Sequence, residues 1–239
     1  TKEKIDIKKD YMPYYVLSGM IMQTSSTGSN EAFAKESIKE FTAFQPFFKS
    51  KQHQVASKNN LLTANLLSCI NFKNIEEGYL FMTENKAAIL DKENLKFSPH
   101  AYVNYLNSAR LCFLNKDYEQ SLEFIDLLLE MKTTIRKSLL PSVNILFLLN
   151  HLKLENNIYL PYAIRSIYKS FLKVGQIYEP EKAVLSFFRT VVKKVDVQSD
   201  IEKLYEKLSE LKKDPFNDSF FGNGDYLLWL EEEIKKPQQ

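Results

Sequence analysis

Glycine and proline are scarce in this chain, which argues against long disordered segments. The 239 residues include six glycines and eight prolines, while 44% are hydrophobic and 26% are charged. A disordered chain has too few apolar residues to form a core, whereas these proportions are those of a well-packed soluble protein. We therefore expect disorder only at the two ends.

An excess of either charge is also absent. The chain has 32 basic and 30 acidic residues, for a formal net charge of +2, and the two signs alternate along the sequence. Segments that bind nucleic acid or an acidic membrane usually carry a basic patch. The sequence therefore predicts neither of these as a partner of this segment.

No apolar run is long enough to cross a bilayer. The most apolar segment, residues 139–154, is interrupted by proline, serine, asparagine and histidine, whereas a spanning helix needs about 20 predominantly apolar residues. We expect a buried helix there. Residues 1–10 are charged, start without methionine and lack the apolar core of a signal peptide. We therefore expect a cytoplasmic chain cut from a longer protein.

Cysteine and histidine are too few and too widely spaced to indicate a metal or redox centre. Cys69 and Cys112 are 43 residues apart, and neither has His53, His100 or His151 at ligand spacing. Adjacent helices lie about 8–10 Å apart, whereas disulfide-bonded Cα atoms lie about 4.4–6.8 Å apart. We expect two buried, unbonded thiols at equivalent positions of neighbouring repeats, which favours a reducing compartment.

Sequence motifs of catalysis are missing as well. Residues 24–30 are rich in Ser, Thr and Gly, but they lack the glycine spacing and the lysine of a P-loop. They predict a loop in which Ser29 or Asn30 caps the next helix. No G-x-S-x-G elbow is present, and the spaced carboxylates of residues 202–210 are typical of a solvated helix face. The sequence therefore predicts no enzymatic activity, no cofactor and no metal.

What the chain does contain is a series of amphipathic helices. Apolar residues recur at three- and four-residue intervals, and clusters of turn residues separate one series from the next. The predicted helices are, in order, 11–23, 31–49, 57–72, 74–90, a pair within 98–132, 141–154, 161–174, 180–195, 200–212 and 225–236.

These helices recur with a period of about forty residues, which is within the range of helical-hairpin repeats. The apolar residues that open the second helices are 42, 43, 40 and 43 residues apart: Phe33, Ile75, Tyr118, Ile158 and Ile201. Pro99, Pro141 and Pro180 stand in the first turns of first helices, where the missing N–H costs no hydrogen bond. The predicted fold is all-α: an α-α superhelix, or solenoid, of about five antiparallel hairpins and a C-terminal capping helix. We expect residues 1–239 to form one such domain.

Residues 98–132 are the pair around which this series is arranged, with a tight turn at residues 115–117. Residues 117–123, DYEQSLE, resemble the turn and second-helix start of a tetratricopeptide repeat, and Ala109 occupies that family's small first-helix position. Gly78 and Ser121 occupy its small second-helix position. Residues 215–236 also resemble the C-terminal segment of uncharacterised bacterial helical-repeat proteins. The resemblance implies a right-handed superhelix with an inner groove.

The tetratricopeptide resemblance also implies which residues line that groove. In this family the first helices line it, and alignment through Ala109 selects one set of binding residues: Asn107, Arg110, Phe113, Asn150 and Lys153. Asparagine side chains can bond the backbone of an extended peptide while apolar neighbours fill alternate pockets. The alternative is that these residues coat a purely structural scaffold.

The C-terminal helix is predicted to cap the stack. Leu227, Leu230 and Ile234 form an apolar stripe that Trp229 widens, and we expect Trp229 to pack against the 200–212 helix.

Together these patterns favour a non-enzymatic scaffold that binds a protein or peptide. The alternative is the sensor half of a transcription regulator whose DNA-binding domain precedes Thr1. A cell-envelope glycan-binding protein fits less well. The large loops of such proteins are usually rich in Gly, Asn and Trp, whereas this chain has one Trp and six Gly.

Overall fold

A computed structural model describes residues 19–22, 24–97, 101–131, 139–174, 178–192, 197–222 and 226–235. Every regular element in these ranges is a helix, and the ranges contain no strand. The all-α class is therefore confirmed. The chain divides into two compact units, residues 1–115 and 116–239.

The first unit is built around one long helix. Its helices are α1 (Glu31–Thr42), α2 (Lys51–Asn71), α3 (Ile75–Glu84), α4 (Lys86–Ile89), α5 (Lys92–Phe97) and α6 (Tyr102–Leu114), and residues 19–22 and 24–26 are also helical. Helix α2 packs against α1, α3, α5 and α6. Met22, Phe41 and Ala64 form a fully buried cluster beside it. Because α2 contacts four neighbours, its burial organises the whole unit.

The second unit is a chain of helices in which neighbours pack on one another. Its helices are α7 (Tyr118–Glu130), α8 (Leu140–Lys153), α9 (Leu160–Val174), α10 (Glu179–Val191), α11 (Gln198–Leu211), α12 (Asp218–Gly222) and α13 (Tyr226–Ile234). Helix α8 packs on α7, α9 and α10, while α10 also packs on α9 and α11. The last helix, α13, packs on α11.

One type of turn occurs three times. Lys73, Lys116 and Glu155 are the described non-glycine residues with positive φ, at 61°, 66° and 55°, and they are 43 and 39 residues apart. After α2, the Asn74 amide donates to the Cys69 carbonyl over 2.9 Å, and after α8 the Asn156 amide donates to the His151 carbonyl over 3.0 Å. Such bonds satisfy carbonyls that a helix end leaves without partners.

Several helix boundaries differ from those predicted. The predicted 31–49 helix ends at Thr42, because a 3₁₀ turn follows at Gln45–Phe47 with Pro46 inside it. Helix α2 then begins at Lys51 rather than at residue 57, since the Ser50 hydroxyl accepts the His53 amide and caps the helix there. Helices α4 and α5 were not predicted as separate elements.

Other local predictions are confirmed. The Asn30 side chain accepts the Phe33 amide over 3.0 Å and caps α1. Pro141 and Pro180 lie in the first turns of α8 and α10. Pro99 and most of the predicted 11–23 helix lie outside the described residues.

The predicted C-terminal helix exists, but its buried face is rotated. Tyr226, Trp229 and Leu230 are buried, whereas Leu227 and Ile234 of the predicted stripe are only half-buried. The Trp229 ring makes an edge contact with Phe187 of α10, with centroids 6.3 Å apart. The rotation follows from α13 having neighbours besides α11.

Candidate functional site

The first-unit residues predicted to line a groove are buried in the structure. Asn107, Arg110 and Phe113 lie on α6 and are 1%, 5% and 5% exposed. Every residue of α6 from position 104 to position 114 is buried. The structure therefore does not place an open groove at these side chains.

Asn104 and Arg110 of this helix make side-chain hydrogen bonds within the first unit. Arg110 donates from Nη1 to Asn107 Oδ1 over 3.3 Å. Thr63 of α2 donates from Oγ1 to Asn104 Oδ1 over 2.6 Å. Buried polar groups are costly unless they are hydrogen-bonded. These bonds therefore stabilise the packing of the first unit.

The second-unit residues of the predicted groove are also engaged in the interior. Asn150 is 0% exposed and donates from Nδ2 to Ser121 Oγ over 3.0 Å and to the Leu146 carbonyl over 2.8 Å. Lys153 Nζ lies 2.7 Å from Glu233 Oε1 of α13. These two residues hold α8 against α7 and α13.

Helix α8 is apolar along the segment that precedes its two predicted groove residues, Asn150 and Lys153. Residues 145–149, ILFLL, are apolar on every side of the helix, and all five are buried. A helix that is apolar all round is buried rather than lining an open surface. The burial of this segment agrees with the buried helix expected for residues 139–154. A binding role for the predicted groove residues stays a prediction of the tetratricopeptide resemblance: Asn107, Arg110, Phe113, Asn150 and Lys153.

The cysteines and the central histidine occupy equivalent places before the recurring turn. Cys69 and Cys112 are free thiols, and Cys112 is buried whereas Cys69 is half-buried. Burial raises the pKa of Cys69 to about 11, with the nearby Glu77 carboxylate adding to the effect. Such a thiol is a poor nucleophile, because the thiolate is the reactive form.

His151 lies in an aromatic cluster in the second unit. Its ring centroid is 4.4 Å from that of Phe147 and 4.7 Å from that of Tyr159, and Asn156 Nδ2 lies 2.9 Å from its Nδ1. Burial lowers the pKa of His151, although the negative charge of Asp126 partly opposes this. The imidazole is therefore mostly neutral near pH 7. Its contacts with Asn156 and Tyr159 stabilise the turn before α9. His100 lies outside the described residues.

A group of apolar side chains is exposed where α9 begins. Ile158, Tyr159 and Tyr162 are 87%, 49% and 67% exposed, and we call them the 158–162 surface. The predicted period makes Ile158 equivalent to Ile75 and Tyr118, which are half-buried. Phe33, the equivalent residue of the first hairpin, is 53% exposed, so Ile158 is the most exposed residue of this register.

A pocket adjoins this surface on the same helix. It has a volume of about 260 Å³ and is lined by Pro161, Ile164, Arg165, Tyr168, Arg189 and Val192. Residues 161, 164, 165 and 168 share one face of α9, while Arg189 comes from α10. The Arg189 guanidinium lies 5.2 Å from the centre of the Tyr168 ring. The pocket therefore combines two cations and an aromatic ring with an apolar wall.

Comparison with known proteins leaves the chain without an assigned family. No family model, no curated protein and no solved structure matches it.

None of the described helices is long and apolar enough to cross a membrane. No group of three or more His, Cys, Asp or Glu side chains in the described part of the chain could hold a metal ion.

Proposed function

We propose that this chain is a helical-repeat scaffold that binds a protein partner through the 158–162 surface. The observation that carries the proposal is the exposure of three large apolar side chains within five residues, in the turn before α9 and in its first turn. Isolated apolar residues are common on protein surfaces, but a cluster of them marks an interaction site.

The packing pattern supports the repeat character. In the first unit α2 packs on α3 and on α6, and in the second unit α8 packs on α9 and on α10. Helices α2 and α8 are first helices of predicted hairpins, and each contacts its own second helix and the first helix of the next hairpin. This is the pattern expected when hairpins stack. The positive-φ turns at residues 73, 116 and 155 support the same period.

The chemistry of the surface supports a protein rather than a small molecule as the partner. Tyrosine is enriched among the residues that dominate binding energy at protein interfaces, because it offers a large apolar area and a hydroxyl. Covering Ile158 alone would remove an apolar side chain from water, which stabilises a complex by about 1.5–3 kcal/mol. Tyr159 is held in place by its contacts with His151 and Phe147, so its ordering costs little on binding.

Site-specific photo-crosslinking in the source cells tests this function. A photoreactive phenylalanine at position 162 is expected to trap one discrete protein partner, and an excess of unlabelled wild-type protein should prevent the trapping. The control places the same group at Lys212, which is exposed on a different helix end. Identical adducts from positions 162 and 212, or none from 162, would contradict the proposal.

A further inference from the structure

We propose that the pocket between α9 and α10 binds the carboxylate of an acidic side chain in a partner polypeptide. The inference rests on the proposed function, because the pocket begins at Pro161, within the exposed start of α9. Tyr162 and Arg165 are three residues apart on α9 and so are neighbours on the helix surface. A partner segment that covers the 158–162 surface therefore reaches the pocket.

The two arginines are the first argument. The chain has four arginines among its 32 basic residues, and two of the four line this one pocket. Guanidinium is planar and donates two parallel N–H bonds to a carboxylate, which an ammonium group does not do. Lysine, the common basic residue of this chain, would hydrate an exposed surface as well as arginine does. Two arginines in one pocket therefore favour bidentate hydrogen bonding over simple hydration.

The position of Arg189 is the second argument. Its guanidinium lies over the face of Tyr168 at 5.2 Å, an attractive arrangement of a cation and an aromatic ring. This contact positions the guanidinium through its charge rather than through a hydrogen bond to an acceptor. Among the described residues, no carboxylate forms an ion pair with Arg165 or Arg189.

The apolar wall decides between a carboxylate and a phosphate. Pro161, Ile164 and Val192 line the pocket beside the arginines. This wall suits the methylene groups that carry the carboxylate of Asp or Glu. Protein sites for phosphate generally add backbone N–H groups of a helix start or of a loop, but the lining residue at the start of α9 is Pro161, which has no backbone N–H. The volume of about 260 Å³ accommodates one side chain and is smaller than a typical small-molecule pocket.

Peptide titration observed at the arginine side chains tests the proposal. The probes are three blocked peptides, acetyl-Leu-X-Leu-amide, in which X is Glu, Gln or phosphoserine. We expect the Glu peptide to move the Nε–H signals of Arg165 and Arg189 saturably, and the Gln peptide to bind about tenfold more weakly because it lacks charge-assisted bonds. Arg110 is buried and serves as an internal signal that should not move.

Variants complete the test. Arg165→Gln and Arg189→Gln should each weaken binding of the Glu peptide about tenfold, since each removes one bidentate donor. Lys169→Gln is the matched control, because Lys169 is an exposed cation on α9 that does not line the pocket. Equal loss in the Lys169 variant would overturn the proposal, since it would show a general effect of charge.

Each remaining outcome also counts against the assignment. Equal binding of the Glu and Gln peptides would show an apolar groove without an acid-binding site. Tighter binding of the phosphoserine peptide would show a phosphopeptide site instead. No saturable change with any probe would remove the site. If crosslinking at position 162 succeeds and no peptide binds, the pocket is rejected and the 158–162 surface is kept. If the Glu peptide binds and crosslinking fails, the 158–162 surface is rejected and the pocket is kept.

Discussion

Lys153 Nζ lies 2.7 Å from Glu233 Oε1, and this ion pair joins α8 to α13 across 80 residues of chain. Both side chains are largely buried, with 16% and 13% of their surface exposed. The residue that the tetratricopeptide resemblance assigned to a groove is thus used to hold the last helix in place. Lys153 also lies 6.0 Å from the centre of the Tyr118 ring.

Lys153→Met should therefore lower the free energy of unfolding by about 1–3 kcal/mol, because it removes a largely buried ion pair with the Glu233 carboxylate. Lys182→Met is the matched control, since the Lys182–Glu179 pair is more than half exposed and such pairs contribute about 0–1 kcal/mol. Urea denaturation measures both. Equal losses in the two variants would show that the burial of the 153–233 pair has no energetic consequence.

Gly78 lies where α3 meets its neighbours most closely. A Cβ atom at this position would lie 2.7 Å from the Cβ of Cys69 and 2.7 Å from a methyl group of Leu111. Alanine is normally favoured over glycine in a helix by about 1 kcal/mol. Here Gly78→Ala should instead lower the free energy of unfolding by about 1–3 kcal/mol, because the backbones must separate.

Gly222→Ala is the control for that substitution, because a Cβ at Gly222 would meet nothing within 4 Å. Thermal unfolding should show a lower melting temperature for Gly78→Ala than for the wild type. The melting temperature of Gly222→Ala should be unchanged or higher. A stabilised Gly78→Ala protein would mean that α3 does not pack as closely as described.

His151 gives the stability a defined dependence on pH. Since burial lowers its pKa in the folded protein, the unfolded chain binds the proton more readily below the ordinary value of about 6.5. The contribution of His151 to the free energy of unfolding is therefore fully present above that pH, and it is lost as the pH falls. Burial raises the pKa of Asp126, so its protonation opposes the decline at lower pH.

Urea denaturation at pH 7 and at pH 5 measures the effect. The wild type should lose more free energy of unfolding between these pH values than His151→Gln does. His53→Gln is a useful control, because His53 is a half-buried histidine outside this cluster. Identical pH dependence in the wild type and the His151 variant would contradict the account.

Trp229 anchors α13 to the second unit. It is 5% exposed and contacts Phe187. Trp229→Ala should cost about 3–5 kcal/mol of stability, because it opens a large cavity. Glu232→Ala, an exposed change on the same helix, should cost within about 0.5 kcal/mol. If the Trp229 variant kept the wild-type melting temperature, α13 would not be part of the folded core.

Local signals in the sequence predicted much of the fold. The turn at residues 115–117, the Asn30 cap and the prolines at the starts of α8 and α10 are each determined by a few adjacent residues. Helix caps and turns depend on hydrogen bonds between residues that are close in sequence, so a single sequence predicts them. The start of α2 was missed because the Ser50 cap is a weaker signal than the apolar series that begins later.

The candidate site could not be predicted in the same way. Burial of Asn107 and Arg110 depends on which helices surround α6, and the pairing of Lys153 with Glu233 joins residues 80 positions apart. The pocket likewise depends on Arg165 and Arg189 meeting across two helices. The repeat register shows that Ile158 is apolar like its equivalents, but it does not show whether the side chain is buried. Only packing shows that nothing among the described residues covers it.

The affinity of the crosslinked partner for matched surface variants tests the central claim most directly. Calorimetric titration should show that Ile158→Ser combined with Tyr162→Ser weakens binding at least about tenfold, because exposed tyrosines of this kind dominate interface energy. Leu80→Ser is the control, since Leu80 is 59% exposed on α3 in the other unit. The account predicts wild-type affinity for the Leu80 variant and unchanged melting temperatures for both. Equal affinity of the wild type and the 158/162 double variant would contradict it.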